Sequence, residues 1–186
     1  EGYEVVNVYD GRSRLKSSAS QALGYRIEYE YDDLDRKTKE TRTDLRGASD
    51  PSVTTWTYKG GSSLVEQIVD GLKHRVVHTY DTLGRLDVVS HRDIGGEPEP
   101  PDFDIDNTYD ENDNLIGRRD GREVVHRTDY DRLNRPTRQW IEGFLGGRPI
   151  SEVLEYDKVG NKRFERDVHG HVTEYVARSW YTYSNG

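Results

Sequence analysis

The sequence predicts an all-β chain: tandem antiparallel hairpins forming a curved, spiralling sheet. Three observations carry this. Tyr-Asp recurs six times along the 186 residues. The stretches leading into the copies are rich in Val, Tyr and Thr, the residues that suit a pleated, half-buried surface. No stretch sustains a 3.6-residue apolar period with caps, so almost no helix is expected.

The copies are Tyr9-Asp10, Tyr31-Asp32, Tyr80-Asp81, Tyr109-Asp110, Tyr130-Asp131 and Tyr156-Asp157, with Tyr58-Lys59 and Tyr175-Val176 where degenerate copies would sit. Their tyrosines follow one another at intervals of roughly 20 to 30 residues, the period of stacked supersecondary units. Asp81-Thr82-Leu83-Gly84 places Asp first and Gly fourth in a type I turn, where each is favoured. A Gly at that place can take φ > 0 and form the bulge of a short hairpin loop. Asp35, Asp113, Asn134 and Gly160 hold the same offset, and all tolerate a left-handed backbone. Ser13 in the first copy is an awkward fit. Each Tyr-Asp therefore reads as a strand end entering a tight turn, fixed by the Asp side chain bonding backbone N–H groups two residues on.

Gly24, Gly71, Gly121 and Gly170 precede the next tyrosines and mark a second set of turns between hairpins. His74 to Tyr80 and Arg122 to Tyr130 read as strands. The whole of 1–186 is expected to be one repeat region of about seven hairpins, with insertion loops near 44–52, 94–101 and 143–149. The Gly-Gly-Glu-Pro-Glu-Pro-Pro run in the middle loop is the expected protease-sensitive segment.

Composition narrows the function classes. Leu, Ile, Val and Phe make up about a fifth of the chain, near the ~20% level below which high charge signals disorder. Thirteen Tyr and three Trp argue for order, because disordered chains are poor in aromatics. An ordered β-protein with thin packing reconciles the two. A net charge of −8 and a pI near 5.3 disfavour nucleic acid or an anionic membrane as main partner. No apolar run exceeds three residues, which rules out a membrane-spanning helix within the sequence. Zero Cys removes disulfide, thiolate-metal and Cys-nucleophile chemistry. The absence of Met leads us to expect a processed chain or a segment of a longer one.

The repeated residues resemble the Rhs/YD-repeat superfamily, whose pattern is roughly Tyr-Asp-x-x-Gly-Arg-Leu followed by a strand, a Gly and another Tyr. Tyr80-Asp81-Thr82-Leu83-Gly84-Arg85-Leu86 matches it throughout, and the copies at Tyr31, Tyr130 and Tyr156 match with one or two changes. That superfamily includes bacterial Rhs toxins, insecticidal toxin-complex C components, wall-associated contact-inhibition toxins and the animal teneurins. The resemblance implies a long antiparallel sheet wound into a hollow shell, which can enclose a toxin domain or serve as an extracellular scaffold. It implies a secreted or cell-surface location and no cofactor. Rhs cores that release their toxin end in a paired Asp-Pro-x-Gly motif. The sole Asp-Pro here, Asp50-Pro51, is followed by Ser-Val, so self-cleavage is not implied.

His74 and His78 share a predicted strand, and His169-Gly170-His171 is a His-x-His. Surface histidines on a charged sheet explain both better than a metal site, which needs converging ligands. Asp102 to Asn107 with Asp113 partly imitates a calcium loop but lacks its Gly and Glu. Strand alternation, with three Asp wet and Phe103 and Ile105 packed, needs no ion. No nucleophile elbow, zincin or phosphate-loop motif occurs, and an active site is normally unique whereas these carboxylates recur, so no enzyme activity is expected. The repeat tyrosines are expected to form a ladder of packed rings, with sugar stacking the alternative. Trp56, Trp140 and Trp180 lie outside the Tyr-Asp positions and are the candidates for contact with a partner.

Two sets of partners are thereby expected. The terminal stretches near Val5 to Tyr9 and Val172 to Tyr183 carry no Pro or Lys, so at least one should pair with further YD repeats of a parent chain or with a neighbouring copy. An encapsulated protein cargo or a glycan is the other expected partner. A toxin-shell wall, a self-assembling extracellular module and a carbohydrate-binding surface module remain three distinct functional readings.

Overall fold

The computed structural model describes residues 3–47, 49–93 and 102–176. They form fifteen strands. These are β1 (Val6–Tyr9), β2 (Leu15–Ser20), β3 (Tyr25–Tyr31), β4 (Lys37–Asp44), β5 (Ser52–Tyr58), β6 (Val65–Val69), β7 (His74–Tyr80) and β8 (Leu86–Asp93), then β9 (Phe103–Tyr109), β10 (Leu115–Arg119), β11 (Val125–Tyr130), β12 (Pro136–Ile141), β13 (Ser151–Tyr156), β14 (Lys162–Asp167) and β15 (Val172–Glu174). Strand order equals chain order with no crossover, and neighbouring strands pair antiparallel, as β7 does with β8. Among the described residues the one helical element is a 3-10 turn at Leu145–Gly147, within the expected loop near 143–149. The segment 94–101 and the stretch from Ala177 onward, including Trp180, lie outside the described residues.

The chain divides into two compact units, Glu1–Asp104 and Ile105–Gly186. Within each, strands contact chiefly the strand before and the strand after. That leaves no place for a conventional core. Among the described residues no apolar side chain is fully buried, and the only buried side chains are Ser17 and Ser20. Alternation is nonetheless clear on β3, where Tyr25, Ile27, Tyr29 and Tyr31 are half-buried while Arg26, Glu28 and Glu30 are exposed. Burial is partial because each side chain is covered only by its neighbours on the same face, never by a second layer.

Register slips at every repeat tyrosine. The shifts fall at Tyr9, Tyr31, Tyr58, Tyr80, opposite Tyr109, at Tyr130 and at Tyr156. Each is a bulge that adds local twist. The expected left-handed residues follow: Ser13, Asp35, Gly84, Asp113, Asn134 and Gly160 have φ of 62, 61, 81, 66, 59 and 90°. Ser13 thus fits the turn despite its chemistry.

The second set of turns forms at the glycines as expected, and one strand boundary beside them needs correction. In the turns at Gly71 and Gly121 the left-handed place falls two residues on, at Lys73 (φ 74°) and Glu123 (φ 63°). Gly71 serves close approach instead, since a Cβ there would lie 2.3 Å from Ser52 Oγ. Arg122 and Glu123 accordingly belong to a turn, and the strand expected from Arg122 begins at Val125.

Candidate functional site

The turns carry the recurring polar chemistry. In each Tyr-Asp copy the aspartate closes the loop from inside. Asp81 Oδ1 accepts the backbone N–H of Leu83 and of Arg85, both at 2.9 Å, while Oδ2 accepts Arg85 Nε at 2.7 Å. Asp10 does the same with Arg12 and Arg14, Asp32 with Leu34 and Arg36, and Asp131 with Leu133 and Arg135. In the copies at Asp110 and Asp157 the side-chain amides of Asn114 and Asn161 replace the guanidinium, each at 2.9 Å. Such charge-assisted bonds favour the ionised carboxylate. The Arg135 guanidinium first, with the backbone bonds, holds Asp131 below the usual carboxylate range. The Asn161 amide does so for Asp157.

The same clamp recurs at the opposite turns, whose sequence mark is a glycine. Asp70 accepts from Leu72 N, His74 N and His74 Nδ1; Asp167 accepts from His169 N, His171 N and His171 Nδ1. Asp120 binds the backbone of Arg122 and Val124, and the Arg122 N–H above all lowers its carboxyl to about 2. His74 and His171 therefore take the place that Arg holds in the Tyr-Asp turns. The missed signal was an Asp four residues before His, without a preceding Tyr.

The tyrosines connect one hairpin to the next. Tyr31 Oη donates to Leu15 O at 2.9 Å, Tyr58 to Lys37 O at 2.7 Å, Tyr80 to Val65 O at 2.7 Å and Tyr130 to Leu115 O at 3.1 Å. Tyr156 donates likewise to Pro136 O. Each acceptor opens the second strand of the preceding hairpin. From the same place a cation covers the ring: Arg14 lies 4.7 Å from the Tyr31 centroid, Arg36 4.5 Å from Tyr58 and Arg135 4.2 Å from Tyr156. At Tyr31, Tyr58 and Tyr156 the ladder therefore interleaves guanidinium with phenol where ring on ring was expected, and at Tyr80 the Lys59 ammonium stands 5.8 Å from the ring centroid. A tyrosine recurs only once per hairpin, so the intervening strand holds successive rings apart and the arginine fills the gap. Arg14 and Arg36 reach further, to Asp35 Oδ1 at 2.6 Å and to the Gly60 carbonyl at 3.2 Å. Tyr9, first in line, is 58% exposed.

The tryptophans are not brought together. Trp56 is two residues before Tyr58 on β5 and shares its face; Lys37 Nζ lies 4.1 Å from its ring. Trp140 pairs with Arg127, which is out of phase with Tyr130, so it sits on the face opposite that tyrosine. The calcium-like stretch is a strand whose acids are matched by arginine: Asp104 with Arg92 at 2.7 Å, and Asp106 with Arg119. Phe103 and Ile105 are half-buried on the other side, with His91 stacked on Phe103 at 4.4 Å.

No protein-family model matches the sequence, and no curated protein matches it either. Solved structures do match in fold. The chain superimposes on the crystal structure of TcdB2-TccC3-Cdc42 with a TM-score of 0.71 over 94% of its length, at 15% identity. The Photorhabdus luminescens Tc holotoxin pore carrying TccC3-D651A gives 0.71 over 94% at 14% identity. The fold is that of a YD-repeat segment. The chain spans about a tenth of those chains, 10% of the first and 9% of the second. At this identity the YD likeness concerns fold. No helix among the described residues is long and apolar enough to cross a membrane.

Proposed function

We propose that this YD-repeat chain is a structural, non-catalytic segment of a secreted or cell-surface protein, forming part of the wall of a β-sheet shell. The observation that carries the reading is the repeated link from hairpin to hairpin: a phenol donating to the preceding hairpin and a guanidinium covering its ring. A link that depends only on the neighbouring hairpin can be extended indefinitely, which a wall needs and an enzyme does not. The clamped carboxylates are acceptors held ionised, a poor starting point for general acid catalysis. The fold of the TcdB2-TccC3 chains supports the same reading.

On this reading the partners are further YD repeats, or a neighbouring copy, paired through the sheet edges, with a protein cargo inside the completed shell. β1 offers such an edge, with Val6 53% and Val8 47% exposed. No cofactor, nucleic acid or membrane insertion is involved. Purifying the intact protein from its native source and imaging it by electron cryomicroscopy tests this. A long parent chain with a hollow β-walled particle is the expected result. A parent chain barely longer than this one, or a particle enclosing no volume, overturns it.

A further inference from the structure

The ladder lacks a tyrosine beside its last described hairpin, β13–β14. At five earlier links a phenol donates to the carbonyl that opens the preceding hairpin's second strand: Leu15, Lys37, Val65, Leu115 or Pro136. The register sets the tyrosine across from the residue just before that carbonyl. With Ser17 opposite Glu28, Tyr31 faces Arg14; with Gly117 opposite Arg127, Tyr130 faces Asn114. Asn161 and Lys162 hold the same two places at the start of β14. Phe164 lies opposite Glu174, so by sequence count the residue due across from Asn161 is number 177. It is alanine, and it lies outside the described residues.

The socket for the absent ring is nevertheless built. A groove of 760 Å³ opens there, lined by Asn161, Lys162, Tyr175 and Val176 among others. Its volume is inside the range of roughly 300–1,000 Å³ typical of ligand sites. The Asn161 amide is fixed by Asp157 at 2.9 Å, just as Asn114 is fixed by Asp110 beside Tyr130. Tyr175 is not the missing phenol. It stands two residues short of the place, on the same face, and its hydroxyl donates to Glu165 at 2.7 Å. The Lys162 ammonium is held by the same Glu165 at 2.9 Å. Among the described residues no side chain donates to the Lys162 carbonyl. What remains open is a carbonyl acceptor beside an aromatic edge and the exposed Val176.

We propose that this socket binds a tyrosine side chain presented by another protein. The phenol hydroxyl donates to the Lys162 carbonyl, and the ring lodges against Tyr175 and Val176. The precedent is inside the molecule, where Asn114 and Leu115 hold Tyr130 with the same pair of groups. A phenylalanine would fill the space but leave the carbonyl without its donor.

Nuclear magnetic resonance titration of the 186-residue chain with N-acetyl-tyrosinamide and N-acetyl-phenylalaninamide tests the site. Saturable amide shifts at Asn161, Lys162 and Tyr175 are expected, with the tyrosine compound binding about fivefold tighter, as one added hydrogen bond provides. Ala177→Tyr supplies the ring from within the chain. It should abolish the binding and raise the thermal midpoint by about 2–4 °C, and Ala177→Phe should raise it less. If Ala177→Tyr fails to fold by circular dichroism, the affinity ratio of the two compounds decides the matter. No saturable shift up to the solubility limit of the tyrosine compound overturns the proposal. So do equal affinities for the two compounds, or undiminished binding to Ala177→Tyr. Binding that appears only when Trp180, Tyr181 and Tyr183 are all replaced by Ala would assign the socket to this chain's own residues and overturn a partner's tyrosine. Self-association lost with Tyr3→Phe and Tyr9→Phe would likewise overturn it, in favour of a second copy.

Discussion

The left-handed place in the Tyr-Asp turn is filled by Gly84, Gly160, Asn134, Asp35, Asp113 or Ser13 at nearly constant φ. Backbone shape is therefore what the site requires, and residue size matters little. A Cβ at Gly84 would meet only Leu64 Cδ1, at 3.9 Å, an ordinary contact. Gly84→Val should then cost about 1–3 kcal/mol through strain alone, and Gly84→Asn under about half of that, since Asn adopts this conformation readily. Urea unfolding of the two variants measures the difference; equal losses would show that φ at this residue is not what limits stability. Tyr80→Phe isolates the phenol hydroxyl from the ring. It removes the 2.7 Å bond to Val65 O and should cost about 1 kcal/mol, partly offset because His78 Nδ1 also lies 3.1 Å from that carbonyl.

At the scale of a turn, one carboxylate holds three donors. Asp131→Ala should speed amide exchange at Leu133 and Arg135, whose N–H groups donate to it at 2.8 and 3.0 Å. Asp131→Asn should speed it less, because the amide keeps one acceptor oxygen. Unchanged protection in both variants would mean that the ladder bonds alone set the turn. The Tyr-Asp turns were legible in the sequence because Asp, the left-handed residue and the strand end all fall within a few residues. The opposite turns were legible only in part: Lys73 and Glu123 carry no left-handed preference, and the room for a side chain at Gly71 is taken by Ser52, distant in sequence. The acceptors of the tyrosines were not legible at all, since Leu15 and Tyr31 are joined only through the pairing of β2 with β3. The face taken by Trp140 depends on the register from Arg127, and one residue of slip would reverse it.

Across the molecule these carboxylates act together. Glu165 is lowered from 4.5 to about 2, by Ser151 first and then Lys162 and Tyr175, and Asp120 from 3.8 to about 2. A carboxyl with a lowered folded-state pKa contributes its stability above the unfolded value and loses it as pH falls through the folded one. The thermal midpoint should therefore be flat down to about pH 5 and fall steeply between about 4.5 and 2. Glu165→Gln should flatten part of that fall, and a midpoint constant to pH 2 would contradict the assignment. Nearest-neighbour contact also confines damage. Gly84→Val should raise amide exchange in β7 and β8 of its own unit and leave β13 and β14 protected, which hydrogen-exchange mass spectrometry can resolve. The lack of any buried apolar side chain among the described residues has a further consequence for descent. A protein built on a shared interior cannot gain or lose a piece without refitting the rest. Here each hairpin carries its own closing turn and its own attachment to the one before, so duplication or deletion of a whole hairpin disturbs only one junction. Related genes should differ in length by whole multiples of the repeat far more often than by fractions of it.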